Sequence, residues 1–109
     1  GGNPNDMLAQ VQKMQQDMAT AQTALENETL TVSAGGGAIT IVITGHQRVR
    51  SIAIDKELLT AEEAEFLQDM LVAGINAAIE QSQALAAQRM EGITGGVGGM
   101  DGLLDGLMG

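Results

Sequence analysis

The sequence predicts an α+β protomer in the order α-β-β-β-α, a three-stranded antiparallel meander flanked by two long helices. Apolar residues recur at steps of four and three over residues 4–28, as on one face of a helix. Apolar and polar residues then alternate over residues 29–55, interrupted by glycine-containing turns, and helical periodicity returns over residues 60–94. Residues 1–94 read as one domain, and residues 95–109 as a flexible Gly/Met/Leu-rich tail.

The first helix opens at Pro4, tolerated in a first turn, with Asn3 or Asn5 available as a cap. Met7, Val11, Met14, Met18, Ala21 and Leu25 form a heptad-like seam, and Gln10, Gln12, Gln15, Gln16, Asp17 and Gln22 fill the opposite face. So narrow a seam on so long a polar helix suits helix–helix association, and it outruns what short strands can cover. A second copy of the chain is the simplest partner.

In the strand region Leu30 and Val32 alternate with Thr29, Thr31 and Ser33, and residues 34–38, with three glycines, form a hairpin connection. Ile39, Ile41 and Ile43 alternate with Thr40, Val42 and Thr44. Gly45, His46 and Gln47 turn the chain, after which Val49, Ser51 and Ala53 alternate with Arg50, Ile52 and Ile54. One sheet face is therefore apolar and the other rich in Thr and Ser, so helices need cover only one. Thr60 and Glu63 have the spacing of a capping box at the start of the second helix, and Glu62, Glu63 and Glu65 suit its positive end. Phe66, Leu67, Met70, Leu71, Gly74, Ala77, Ala78, Leu85 and Met90 supply its apolar face, with Gly74, Ala77 and Ala78 a low patch open to close approach.

Composition narrows the chemistry. Of 109 residues 44% are hydrophobic, yet there is one Phe and no Tyr or Trp, so aliphatic side chains and Met build the core. With no Cys and one His, thiolate sites, Cys nucleophiles and multi-histidine metal sites are excluded within a protomer. No apolar run reaches the roughly 18–20 residues of a membrane span. Residues 1–6 carry no secretory signal pattern, and a cytoplasmic protein is expected. Gly35, Gly36 and Gly37 lie between strands without a following Gly-Lys-Ser/Thr, so they read as a turn rather than a phosphate loop. His46 reads as a solvated turn residue. Asp55, Glu57, Glu62, Glu63 and Glu65 read as strand-end and helix-start residues rather than a metal site, and no nucleophile has a base at a telling distance. No enzyme, metal or cofactor is expected.

The net charge is −9, and the bases are five: Lys13, Arg48, Arg50, Lys56 and Arg89. Arg48 and Arg50 share a strand end, and a dimer doubles the set. Clustered cations suit phosphates, although the overall charge opposes a polyanion at long range. Without aromatics there is no stacking platform for single strands.

The chain resembles the YbaB/EbfC family of bacterial nucleoid-associated proteins. The likeness lies in Met14-Gln15-Gln16-Asp17-Met18, the strand from Ile39 to Gly45, Ile52-Ala53-Ile54-Asp55 followed by Leu58-Leu59, the stretch from Leu67 to Ala78, and Gln88-Arg89-Met90. The resemblance implies a tweezer-like homodimer that binds duplex DNA with little sequence preference, organising DNA or modulating expression in the cytoplasmic nucleoid. It places Lys13 and Arg89 on the protruding helices as DNA contacts, with Arg48 and Arg50 added by a dimer face. Val11, Met14, Met18, Met70, Gly74 and Ala77 are the expected dimer interface. The alternative is an acidic family member that works as a protein-interaction module with weak or no DNA binding.

Overall fold

The computed structural model describes residues 4–94. Helix α1 spans Pro4–Asn27, strands β1, β2 and β3 span Thr29–Ala34, Ile39–Thr44 and Val49–Ile54, and helix α2 spans Ala64–Thr94. The predicted α-β-β-β-α order stands. The expected tail, residues 95–109, lies outside the described residues.

The sheet has the order β1-β2-β3, both pairings antiparallel. Gly35, Gly36 and Gly37 all adopt positive φ (61°, 70° and 96°), so the β1–β2 connection takes a left-handed path closed to ordinary side chains. Thr60 caps the helical turn Ala61–Glu63 ahead of α2 through a bond from the Glu63 N–H to its Oγ1 at 3.3 Å. That is one half of the predicted capping box.

Helix α2 lies across β1 and β2. Val32, Ile39, Ile41, Ile43 and Ala78 form the buried core, joined by Leu30, Leu67, Met70, Leu71, Ile75 and Ile79. A Cβ on Gly74 would stand 3.0 Å from Ile41 Cδ1 and 3.1 Å from Ala34 Cβ, so this glycine lets α2 settle closely on the sheet. Phe66, expected on the apolar face of α2, lies off the buried stripe at 45% exposure.

Strand β3 departs from simple alternation. Ile39 faces Ile54 and Ile41 faces Ile52, but a bulge at Val42/Ile43 sets Val49 opposite Ile43. The extra residue, Arg50, shifts Val49 to the same side as Ile52 and Ile54.

Beyond the sheet the helices run side by side. Helix α2 passes the β1–β2 hairpin at Met70, reaches the β2–β3 turn at Ser82, and continues until Arg89 meets Glu28 and Met90 meets Gln22. It thus travels antiparallel to α1. The seam of α1 is buried at Leu25 (1% exposed), half-buried at Ala21, Met18 and Met14, and exposed at Val11 (39%) and Met7 (65%). The outer turns of α1 thus project past its contacts with the other described residues, which fits an elongated body of 71 × 31 × 15 Å.

Candidate nucleic-acid interface

Three cation-bearing or polar elements meet at the C-terminal end of α1. A helix end leaves its last carbonyls without partners, and α1 has no basic residue in its last turn. The β2–β3 turn and β3 serve it from outside. Gly45 N–H lies 3.0 Å from the Leu25 carbonyl and 2.9 Å from that of Glu28. His46 Nε2 donates to the Gln22 carbonyl at 2.6 Å, and Arg50 Nη2 donates to the Glu26 carbonyl at 3.2 Å. A carbonyl only accepts, so the His46 proton sits on Nε2. His46 is half-buried and structural here, unlike the solvated residue its turn position suggests.

Arg89 reaches the same junction from α2. Its Nε and Nη2 form a two-pronged pair with the Glu28 carboxylate. Lys13 stands farther out on α1 and pairs with Asp17 at 3.1 Å, its side chain 78% exposed. Arg48 and Lys56 make no side-chain hydrogen bond or ion pair among the described residues. The predicted DNA-contacting residues therefore divide. Arg50 and Arg89 converge with His46 on the base of the two-helix arm, Arg48 is nearby in sequence, and Lys13 is separate. Counting nine residues from Gln22, Lys13 lies about 14 Å along the arm.

Exposed ion pairs of this kind are worth only about 0–1 kcal/mol, so a phosphate can replace the carboxylate beside Lys13 or Arg89 at little cost. Charge along the chain is segregated more sharply than the net value conveys. All 14 acidic residues lie outside residues 29–54, a stretch that holds Arg48 and Arg50. The sheet is thus the one basic element between acidic helices. Its helix-free face carries exposed Thr29, Thr31, Ser33 and Ser51, hydroxyl groups of the sort that bond phosphate oxygens. Sequence reasoning did not single out this face; the absence of carboxylates from residues 29–54 was the available signal.

The expected dimer-interface residues occupy unequal positions. Val11 is exposed, and Met14 and Met18 are half-buried along the arm. Met70 and Ala77 pack on the protomer's own core, and Gly74 is buried beneath Ile41. The low patch on α2 is thus occupied within the protomer.

An open groove along α1, lined by Gln16, Ala19, Thr20, Thr23, Ala24 and Asn27, holds no ionisable group. No cluster of metal-ligating side chains occurs among the described residues, and no described helix is long and apolar enough to cross a membrane.

Known proteins resemble this chain in sequence and in fold. The YbaB/EbfC DNA-binding family profile matches residues 1–97. A nucleoid-associated protein of Ruminiclostridium cellulolyticum is 46% identical over 103 residues, covering 94% of this chain and 90% of the relative. One from Acetivibrio thermocellus is 41% identical, covering 94% and 91%. An uncharacterized Helicobacter pylori protein of known crystal structure has the same fold, with a TM-score of 0.66 at 17% identity over 81% of this chain and 92% of that one. With a family match across the whole folded region and relatives this similar over nearly their full length, the chain belongs to the YbaB/EbfC DNA-binding family.

Proposed function

We propose that this protein is nucleoid-associated and binds duplex DNA as a homodimer, with little sequence preference, to organise DNA or modulate gene expression. Family membership across residues 1–97 carries the reading. Two features support weak preference for sequence. The bases sit singly or in pairs on different elements, and neither described helix presents a row of base-reading side chains. Phosphate contacts by Arg48, Arg50, Lys13 and Arg89 position a duplex without reading it. The relatives named as nucleoid-associated point to the same compartment.

Fluorescence anisotropy on a labelled duplex tests this. With two to four phosphates neutralised per complex, affinity falls roughly 10- to 150-fold between 50 and 200 mM salt, from a slope of about −0.9 per phosphate. Shuffled sequences of equal length bind alike.

A second reading has one observation in its favour. The net charge of −9 and the exposed Met7, Leu8 and Val11 at the arm tip suit a protein partner. Absence of binding at 50 mM salt, with capture of a partner that Met7→Asp abolishes, selects that reading.

A further inference from the structure

We infer that residues 97–107 of this chain seat on the outer seam of α1 and prolong the α1–α2 pair to the tip of the arm. The inference concerns the protomer alone and does not depend on the DNA or homodimer readings.

The described helix pair stops before α1 does. The α1 seam is buried at Leu25, half-buried at Ala21, Met18 and Met14, and then bare at Val11 and Met7, 39% and 65% exposed. On α2, Met90 meets Gln22, and the described helix ends soon after, at Thr94. The outermost turns of α1 still lie ahead of it.

The sequence carries a matching series. Read outward from Leu25, the α1 seam is Ala21, Met18, Met14, Val11 and Met7, in steps of four, three, four, three and four. Read outward from Ala86, α2 has Met90 and Ile93, both half-buried, in steps of four and three. Val97, Met100 and Leu104 then follow in steps of four, three and four. Antiparallel series with the same order of steps keep their apolar side chains level with one another. Met90 already stands beside Gln22, next to Ala21. In that register Val97 comes level with Met14, Met100 with Val11 and Leu104 with Met7. At a helical rise, Ile93 to Leu104 and Met18 to Met7 each cover about 16 Å. Asp101 and Asp105 fall between the seam positions, so no carboxylate enters the contact.

Continuity selects this segment over a separate protein. It follows Thr94 in the same chain, so it meets the bare seam at the high local concentration of a tethered ligand. Seven of residues 95–109 are glycine, so ordering the segment costs backbone entropy, and its docking adds little to global stability. Its effect is local cover for an apolar surface, and a protein partner for the arm tip has to displace it.

The chain has no cysteine, so paired cysteine variants read the register directly. Under mild oxidation, Met7→Cys with Leu104→Cys closes a disulfide within one chain several-fold faster than Met7→Cys with Val97→Cys, whose sulfurs sit about 10 Å out of level. In the full chain, amide exchange at Met100 is several-fold slower than in Val11→Asp, a change at an exposed position that leaves exchange at Leu25 and Gly45 as it was. Leu104→Asp, beyond the described fold, speeds exchange at Met100 in the same way. Equal closure rates for the two cysteine pairs overturn the inference. So does exchange at Met100 that neither aspartate alters, which leaves the seam to a separate protein partner. A disulfide that joins two chains, seen as twice the 11.2 kDa chain mass under denaturing conditions, overturns it in favour of the corresponding segment of a second copy.

Discussion

The Ser82 hydroxyl, fully buried on α2, donates to the main-chain carbonyl of Thr44 at the end of β2. It also accepts from the Gln47 main-chain N–H at 3.1 Å and from Gln47 Nε2 at 3.0 Å. One hydroxyl thereby holds the β2–β3 turn against the helix, and Gln47 keeps a left-handed φ of 60° within that network. Ser82→Ala deprives this junction of its shared partner and leaves the Thr44 carbonyl without the Ser82 donor. Stability falls by about 1–3 kcal/mol, read from urea unfolding of the full chain. A loss under half a kcal/mol shows that the turn is held by other contacts.

Gly45 and Gly36 separate two reasons for glycine. A Cβ on Gly45 would lie 2.6 Å from Leu25 Cδ2 and 2.9 Å from the Leu25 carbonyl, whereas one on Gly36 meets nothing within 4 Å. Gly45→Ala therefore forces the turn away from α1 and costs about 1–3 kcal/mol. Gly36→Ala carries only left-handed strain at φ 70°, about 1–2 kcal/mol. Thermal melts alone do not separate overlapping ranges. Hydrogen exchange does, with the Leu25–Gly45 junction loosened by the first variant and untouched by the second.

Arg89→Glu and Lys13→Glu distinguish stability from binding. Both residues belong to exposed or half-exposed pairs, so neither substitution costs more than about 1 kcal/mol of attraction in the folded state. For DNA each is expected to lower affinity and to reduce the salt slope by about one phosphate. Anisotropy titrations at several salt concentrations measure both quantities. An unaltered slope for Lys13→Glu places the duplex away from the outer arm and toward the sheet.

Leu25→Ala removes the buried end of the α1 seam, where the arm joins the sheet, and Val11→Ala trims its exposed continuation. The first costs about 2–5 kcal/mol. The second changes stability by under about 0.5 kcal/mol among surface substitutions. Denaturation midpoints for the two variants check the gradient of burial along one helix face.

Local pattern was enough to place the elements, because helix and strand periods differ and the turns carry glycine. The first helix ends one residue earlier than the spacing implied, at Asn27. What escaped the sequence depends on which segments meet. The bulge that turns Val49 toward Ile43 is invisible in a strand whose apolar residues alternate plausibly in either register. Gly74 signalled close approach correctly, but spacing does not say whether the visitor is a second chain or, as here, Ile41 of the same one. Arg89 and Glu28 are 61 residues apart, and His46 and Gln22 are 24 apart, so their pairing waits on the path of α2 past the sheet and of the turn beneath α1.

The exclusion of carboxylates from residues 29–54 gives the molecule an electrical polarity that its total charge conceals. Near a polyanion such a body experiences a torque as well as a push. The strands swing to the front and the acidic surfaces to the rear before any contact forms. Approach is thus oriented even while it is slow, and added salt should relax the barrier to encounter and the alignment together.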